Sequence, residues 1–322
     1  MVEYRSLRQE ELEAWFEHCA YVFSGGSNDP ILKGLFINHY YMDPDRDLEG
    51  ILVAVENDII ISTVRIFYRK AYFFGKEVSV GGIGEVSTRP EYQGKGLAYR
   101  LLEDAIKQMK ERSVHISMLR GTAGIYSKLG WRKTATYHQI SKVVGEDELP
   151  YRMRPSNLDR ETPALKAIHK NYSIRFNGSF ARDDDYYWRF WVKMEGRNIW
   201  VIEDEDDQII GYVSFEYKDG CIHVHEYCTL IPYEGIFEQV VCRIRSLIGR
   251  SEQVEVKFES LIRSGMKVES FDKSECNMYM LCKPITIGDQ VIENTEQLID
   301  RLTSNDIVNP TSDILFWGMD SF

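Results

Sequence analysis

From Gly81 to Ala98 the chain reads Gly-Gly-Ile-Gly-Glu-Val-Ser-Thr-Arg-Pro-Glu-Tyr-Gln-Gly-Lys-Gly-Leu-Ala. A strand-like run leads into a turn punctuated by Gly94 and Gly96, after which Leu97, Leu101, Leu102, Ala105, Ile106 and Met109 recur at helical spacing. Gln93 to Ala98 therefore form a helix N-terminus, where unpaired backbone N–H groups and the positive end of the helix dipole meet. Gly94 and Gly96 carry no side chain to hold a phosphate away from that backbone, so the chemistry on offer is the cradling of a pyrophosphate. Two other glycine loops fail on spacing. A Walker A loop needs Gly-Lys followed by Ser or Thr, whereas Gly96 is followed by Leu97 and Ala98. A dinucleotide fingerprint needs a third glycine where Tyr99 stands.

What remains is the pattern Gln/Arg-x-x-Gly-x-Gly/Ala, met by Gln93-Gly94-Lys95-Gly96-Leu97-Ala98. It resembles motif A of the GNAT acetyltransferase superfamily, which binds the pyrophosphate of acetyl-CoA. Downstream, the apolar run Val114 to Leu119 reads as a buried strand and Arg120 to Gly124 as a loop. Ile125-Tyr-Ser-Lys-Leu-Gly-Trp131 follows and is similar to the family's motif B, a short helix closed by a Gly-aromatic pair. The resemblance implies roles for particular residues. Tyr126 would protonate the departing CoA thiolate, the backbone N–H of Val86 would stabilise the oxyanion, and Val86 and Thr88 would join Gln93 to Ala98 in holding acetyl-CoA. Loss of a proton from the attacking ammonium needs a base. Candidates are Glu85, on the strand beside the cofactor, and the C-terminal carboxylate of Phe322.

The elements that must position these groups follow the expected order. Leu12, Trp15, Phe16, Cys19 and Phe23 share one face of a first helix. A second helix runs from about Ile31 to Tyr40, and Pro44 closes that unit. Ile51 to Val55 and Ile59 to Tyr68 form strands around the turn Glu56-Asn-Asp58, a hairpin through Gly75-Lys76 leads to a strand ending at Val86, and Thr134 to Val143 is the last strand. The second half repeats part of this. Ile199 to Phe215 echoes Ile51 to Phe67, and Glu226-Tyr-Cys-Thr229 parallels Glu85-Val-Ser-Thr88. Where the glycine turn should recur, the chain reads Glu234-Gly235-Ile236-Phe237, with one glycine and an acid.

The expected fold class is therefore α/β, a tandem GNAT fold with mixed twisted sheets, flanking helices and a degenerate second copy. Its parts are a catalytic domain (1–146), a GNAT-like domain without a cofactor site (147–283), and a C-terminal segment (284–322) docking toward the active site. Such a tandem resembles the enhanced intracellular survival (Eis) type of acetyltransferase. Those proteins carry a third, sterol-carrier-like domain and end with their own carboxylate in the active site. The 39 residues after Lys283 are too few for that domain, yet Ile314 to Phe322 is apolar and suited to docking.

Composition narrows the function. Fifty acidic residues against 39 basic give a net charge of −11, which disfavours nucleic acid and favours cationic partners such as polyamines, amino sugars or exposed lysines. No apolar run reaches membrane-spanning length, and the chain is expected in the cytoplasm with its six cysteines as free thiols. Cys221, His223 and His225 alternate on one strand face with Cys228 beyond, but their spacing matches no common zinc module, and no metal is expected. His18, His39, His115, His138 and His169 show no pairing with a candidate nucleophile. The resulting expectation is an N-acetyltransferase moving an acetyl group directly from acetyl-CoA to a primary amine of a cationic small molecule or peptide. The alternatives are a non-catalytic acyl-CoA sensor or scaffold, and an aminoacyl transferase of the cell-wall bridge type, against which the acidic balance argues. Oligomeric state has no readable signature, and a homo-oligomer stays open.

Overall fold

A computed structural model of the chain describes residues 1–27, 29–194 and 198–303, together with Ile314, Leu315 and Trp317. A short strand, β1 (Glu3–Ser6), precedes two helices, α1 (Leu12–Phe23) and α2 (Pro30–Tyr41). Asp29 caps α2 by accepting from the N–H groups of Ile31 and Leu32, and Pro30 at the first position needs no partner for its nitrogen. A meander of β2 (Ile51–Glu56), β3 (Ile59–Phe73) and β4 (Lys76–Thr88) follows, then α3 (Leu97–Glu111), β5 (Ile116–Arg120), α4 (Gly124–Leu129) and β6 (Arg132–Val143).

The second half opens with β7 (Arg152–Pro155) and α5 (Leu158–Ser173), neither of which the sequence pattern indicates. A π-turn at Tyr187–Trp191 runs into α6 (Val192–Met194). Then β8 (Ile199–Glu203), β9 (Ile209–Lys218), β10 (Cys221–Thr229), α7 (Phe237–Leu247) and β11 (Val254–Glu259) repeat the sequence strand, strand, strand, helix, strand. In both copies the helix crosses over to a parallel neighbour: β4 pairs with β5, and β10 with β11. After β12 (Val268–Leu281) come a small hairpin, β13 (Ile285–Ile287) with β14 (Gln290–Ile292), and α8 (Thr295–Leu302).

Twelve strands form one sheet in the order β1-β2-β3-β4-β5-β12-β6-β11-β10-β9-β8-β7. That order departs from the sequence expectation at one point. Thr134 to Val143, expected to close the first unit, does not lie against β5; β12, from the end of the second half, is inserted between β5 and β6, while β6 pairs with β11. Each half thus borrows a strand from the other. Among the described residues no helix is long and apolar enough to cross a membrane.

The layers on the sheet follow from alternation. Leu97, Leu101, Leu102, Ala105 and Met109 of α3 pack with Ile66, Ile83, Leu119 and Trp131 on one face. On the other face, Trp15, Phe16 and Cys19 of α1 and Phe36 and Tyr40 of α2 cover Ile51, Val53 and Ile60. Phe23 does not share the buried face expected of it: it is half exposed, its ring tilted 43° to that of Phe36 at 5.3 Å between centres. The last described residues are tied down. Leu315 N–H donates to the Asn177 carbonyl at 2.8 Å, and the buried Trp317 indole N–H to Ser173 Oγ at 3.2 Å.

Candidate active site

The site is built where β4 and β5 part. Their parallel register runs from Val80 opposite Ile116 to Ile83 opposite Leu119 and ends there. Ser117 holds the paired stretch, its Oγ donating to the Gly81 carbonyl at 3.0 Å and accepting from the buried Trp131 indole at 3.1 Å. Beyond Ile83, β4 kinks: its pairing with β3 jumps from Gly84–Arg65 to Ser87–Thr63, so Glu85 and Val86 form a bulge. Glu85 adopts φ +52° there, a left-handed conformation uncommon for a residue with a side chain. A bulge lifts its residues out of the ladder, and the crevice at the carboxyl ends of parallel strands is where ligands enter open α/β sheets.

On one rim of the crevice lies the glycine turn. A 3-10 turn at Pro90–Tyr92 delivers Gln93, whose side-chain amide donates to the Thr88 carbonyl at 3.2 Å. Gly94 and Gly96 both take left-handed φ, +76° and +79°, and Gly96 is the cap residue immediately before α3. A side chain at either position would strain the turn, although its Cβ would meet open space. Gln93, Gly94, Lys95 and Gly96 are exposed, Ala98 is half-buried, and Leu97 anchors the turn in the α3 core. The Lys95 ammonium lies 4.5 Å from the centre of the Tyr92 ring.

After β5 comes α4. Gly130 ends it in a left-handed conformation (φ +112°), and the Trp131 N–H turns back to the Tyr126 carbonyl at 3.1 Å. Trp131 is buried and meets Tyr126 edge to face at 6.2 Å. The Tyr126 ring packs so closely over Gly121 that a Cβ there would come within 2.9 Å of it. Burial raises the Tyr126 hydroxyl above the ordinary tyrosine range, so it is a phenol, a proton donor, at neutral pH. Val86 and Tyr126 pack against the same apolar cluster that holds Leu97, while Glu85 lies on the bulge of β4 and Gln93 to Ala98 form the turn before α3. Phe322 lies outside the described residues.

Glu85 has partners that the sequence does not announce. Its carboxylate faces Arg65 Nη1 at 3.3 Å and His39 Nδ1 at 3.4 Å. Arg65 also pairs with Asp43 at 2.8 Å, and Asp43 with Arg69 at 2.7 Å, in a buried cluster under α2. The sequence shows no pairing of His39 with a candidate nucleophile, and the structure gives it instead the carboxylate of Glu85 as neighbour. His39 and Glu85 are 46 positions apart, and no local pattern connects them. Beside Arg120, at the end of β5, a polar cavity of about 230 Å³ opens across β12, β6, β11 and β10, lined in part by His138, His223, His225, Lys257 and Glu259.

The second copy repeats the frame with different groups in it. β10 also bulges, between Val224 and Glu226. Glu226, the counterpart of Glu85, is gripped by Arg182 through two bonds of 2.8 and 2.9 Å and accepts from the Tyr212 hydroxyl. Both members of the Arg182–Glu226 pair are 0% exposed. Where the glycine turn would stand, Ile231–Ile236 is a 3-10 helix, and Glu234 is ion-paired with Arg175.

A family model described as an acetyltransferase (GNAT) domain matches residues 3–134. No curated protein matches the sequence. Among solved structures, the chain is similar to a probable N-acyltransferase from Enterococcus faecalis (TM-score 0.70, 15% identity, 88% of this chain and 72% of that one). It is similar also to a GCN5-related N-acetyltransferase from Anabaena variabilis (0.66, 17%, 88% and 73%) and to Eis1 from Mycobacterium abscessus (0.60, 15%, 88% and 74%). Residues 3–134 thus match the acetyltransferase (GNAT) domain, and the strand, strand, strand, helix, strand order of that region recurs after it.

Proposed function

We propose that the protein transfers an acetyl group from acetyl-CoA directly to a primary amine of a cationic small molecule or peptide. The observation that supports this reading is the left-handed glycine turn that opens α3, which follows the bulged end of β4, with Leu97 of α3, Val86 and Tyr126 sharing one apolar cluster. The turn at Gln93 to Ala98 would take the pyrophosphate on the N–H groups that open α3. The pantetheine arm would then run along the freed edge of β4, past Thr88 to Val86, whose N–H would polarise the thioester carbonyl. The amine nitrogen attacks the carbonyl carbon, the C–S bond breaks, and the thiolate takes the Tyr126 proton. The proton shed by the ammonium goes to a base on the Glu85 side. The net charge of −11 supports a cationic acceptor.

The test is acetyl transfer from acetyl-CoA to a panel of spermidine, an amino sugar and a lysine peptide, with monoacetylated product read by mass spectrometry. The reading expects product from at least one of them and none with Gly96→Glu. Acetyl-CoA binding without product from any amine would favour the sensor reading.

A further inference from the structure

Glu85 is in the right place for a base but closed off from an acceptor. Its side chain is 4% exposed, and Arg65 faces both carboxylate oxygens, at 3.3 and 3.5 Å. His39, in the last turn of α2, stands beside it. Its side chain is 17% exposed, its Nδ1 lies 3.4 Å from Glu85 Oε1, and its ring stacks on Trp191 at 5.5 Å between centres and 29° between planes. The His39 carbonyl is held by both terminal nitrogens of Arg65 at 3.4 Å, which fixes the backbone that carries the ring.

We infer that His39 is the proton acceptor for the incoming amine and that Glu85 is the group that orients it. The inference rests on the acetyl-transfer reading of this site. The buried carboxylate accepts Nδ1–H and so selects the tautomer whose Nε2 carries a lone pair. Nε2, on the far side of the ring from Glu85, takes one proton from the substrate ammonium. The free amine then attacks, and the imidazolium left behind is stabilised by the Glu85 charge, the face of Trp191 and the C-terminal end of α2. The other charged groups nearby are settled among themselves: Arg65 and Arg69 oppose Asp43 and Glu85 in the buried cluster, and Asp45 lies at the edge 3.5 Å from Arg69. Cys19 and Tyr40, which pack near the same cluster, are pushed up by burial and stay neutral.

The experiment is steady-state acetyl-CoA turnover from about pH 5.5 to 9.5, with and without spermidine, tyramine or a lysine peptide. It compares the wild type with His39→Gln and Glu85→Gln, with acetyl-CoA affinity measured calorimetrically on each. His39→Gln should lower kcat by at least about tenfold with acetyl-CoA affinity unchanged, and should abolish the acid limb of the pH–rate profile. Glu85→Gln should lower kcat less and move that limb rather than remove it. A His39→Gln enzyme with wild-type kcat and an intact acid limb overturns the assignment. So does a wild type that binds acetyl-CoA and turns it over with none of these acceptors or with water. A wild type that fails to bind acetyl-CoA instead overturns the acetyl-transfer reading itself.

Discussion

At the scale of single residues, the site depends on side chains whose surroundings fix their protonation. Burial holds Tyr126 in the phenol form above the usual tyrosine range, so turnover should not fall through loss of its proton until the pH exceeds about 10. Tyr126→Phe should keep acetyl-CoA affinity and cut kcat at least about tenfold, and an unchanged kcat would remove the hydroxyl from the chemistry. The second copy offers a contrasting case. Arg182 and Glu226 are wholly buried and bidentate, so Arg182→Ala strands a carboxylate in the interior and should cost about 3–5 kcal/mol in denaturant unfolding. A loss below about 1 kcal/mol would mean that water reaches Glu226. The helix start after Gly96 and the helix end at Gly130 were legible because each is written in adjacent residues. The His39–Glu85 and Arg182–Glu226 pairs were not, because each joins side chains that only the tertiary fold brings together.

At the scale of elements, what holds α1 against the sheet also sets a pH limit. His18 Nδ1–H donates to the Ile60 carbonyl at 2.9 Å, and Nε2 accepts from Ser87 Oγ at 3.1 Å, linking α1 to β3 and β4. Desolvation lowers His18 to about 4, below the value near 6.5 that it takes when unfolded. The unfolded chain therefore binds the proton first. His18 contributes its stability above about pH 6.5 and loses it as pH falls toward 4, a change on the order of 3 kcal/mol. His18→Gln, which keeps a donor and an acceptor, should flatten the fall in melting temperature across that window; an undiminished fall would assign it to other groups. The helical period of α3 was readable because one of its faces is buried, and β2 and β3 were readable as apolar, β-branched runs because helices cover both faces of the sheet. The bulge at Glu85–Val86 was not, since an extra residue in a strand changes neither composition nor overall pattern.

At the scale of the whole molecule, the exchange of β6 and β12 makes one sheet of two repeats. The tandem was legible as a repeat of strand, acidic turn and strand. The exchange was hidden because pairing partners far apart in sequence leave no local trace. Its consequence is that residues 1–146 expressed alone would lack β12 and leave β5 with an open edge. That fragment should aggregate or fail to unfold cooperatively, while co-expression with residues 147–322 should restore a soluble complex; a stable, monomeric fragment would contradict the exchange. The central claim, that the turn at Gln93 to Ala98 opens an acyl-CoA site, is tested most directly by calorimetric titration of acetyl-CoA into the wild type and Gly96→Glu. One site per chain is expected in the wild type and none in the variant, with both proteins folded. Equal binding by both, or by neither, would contradict it.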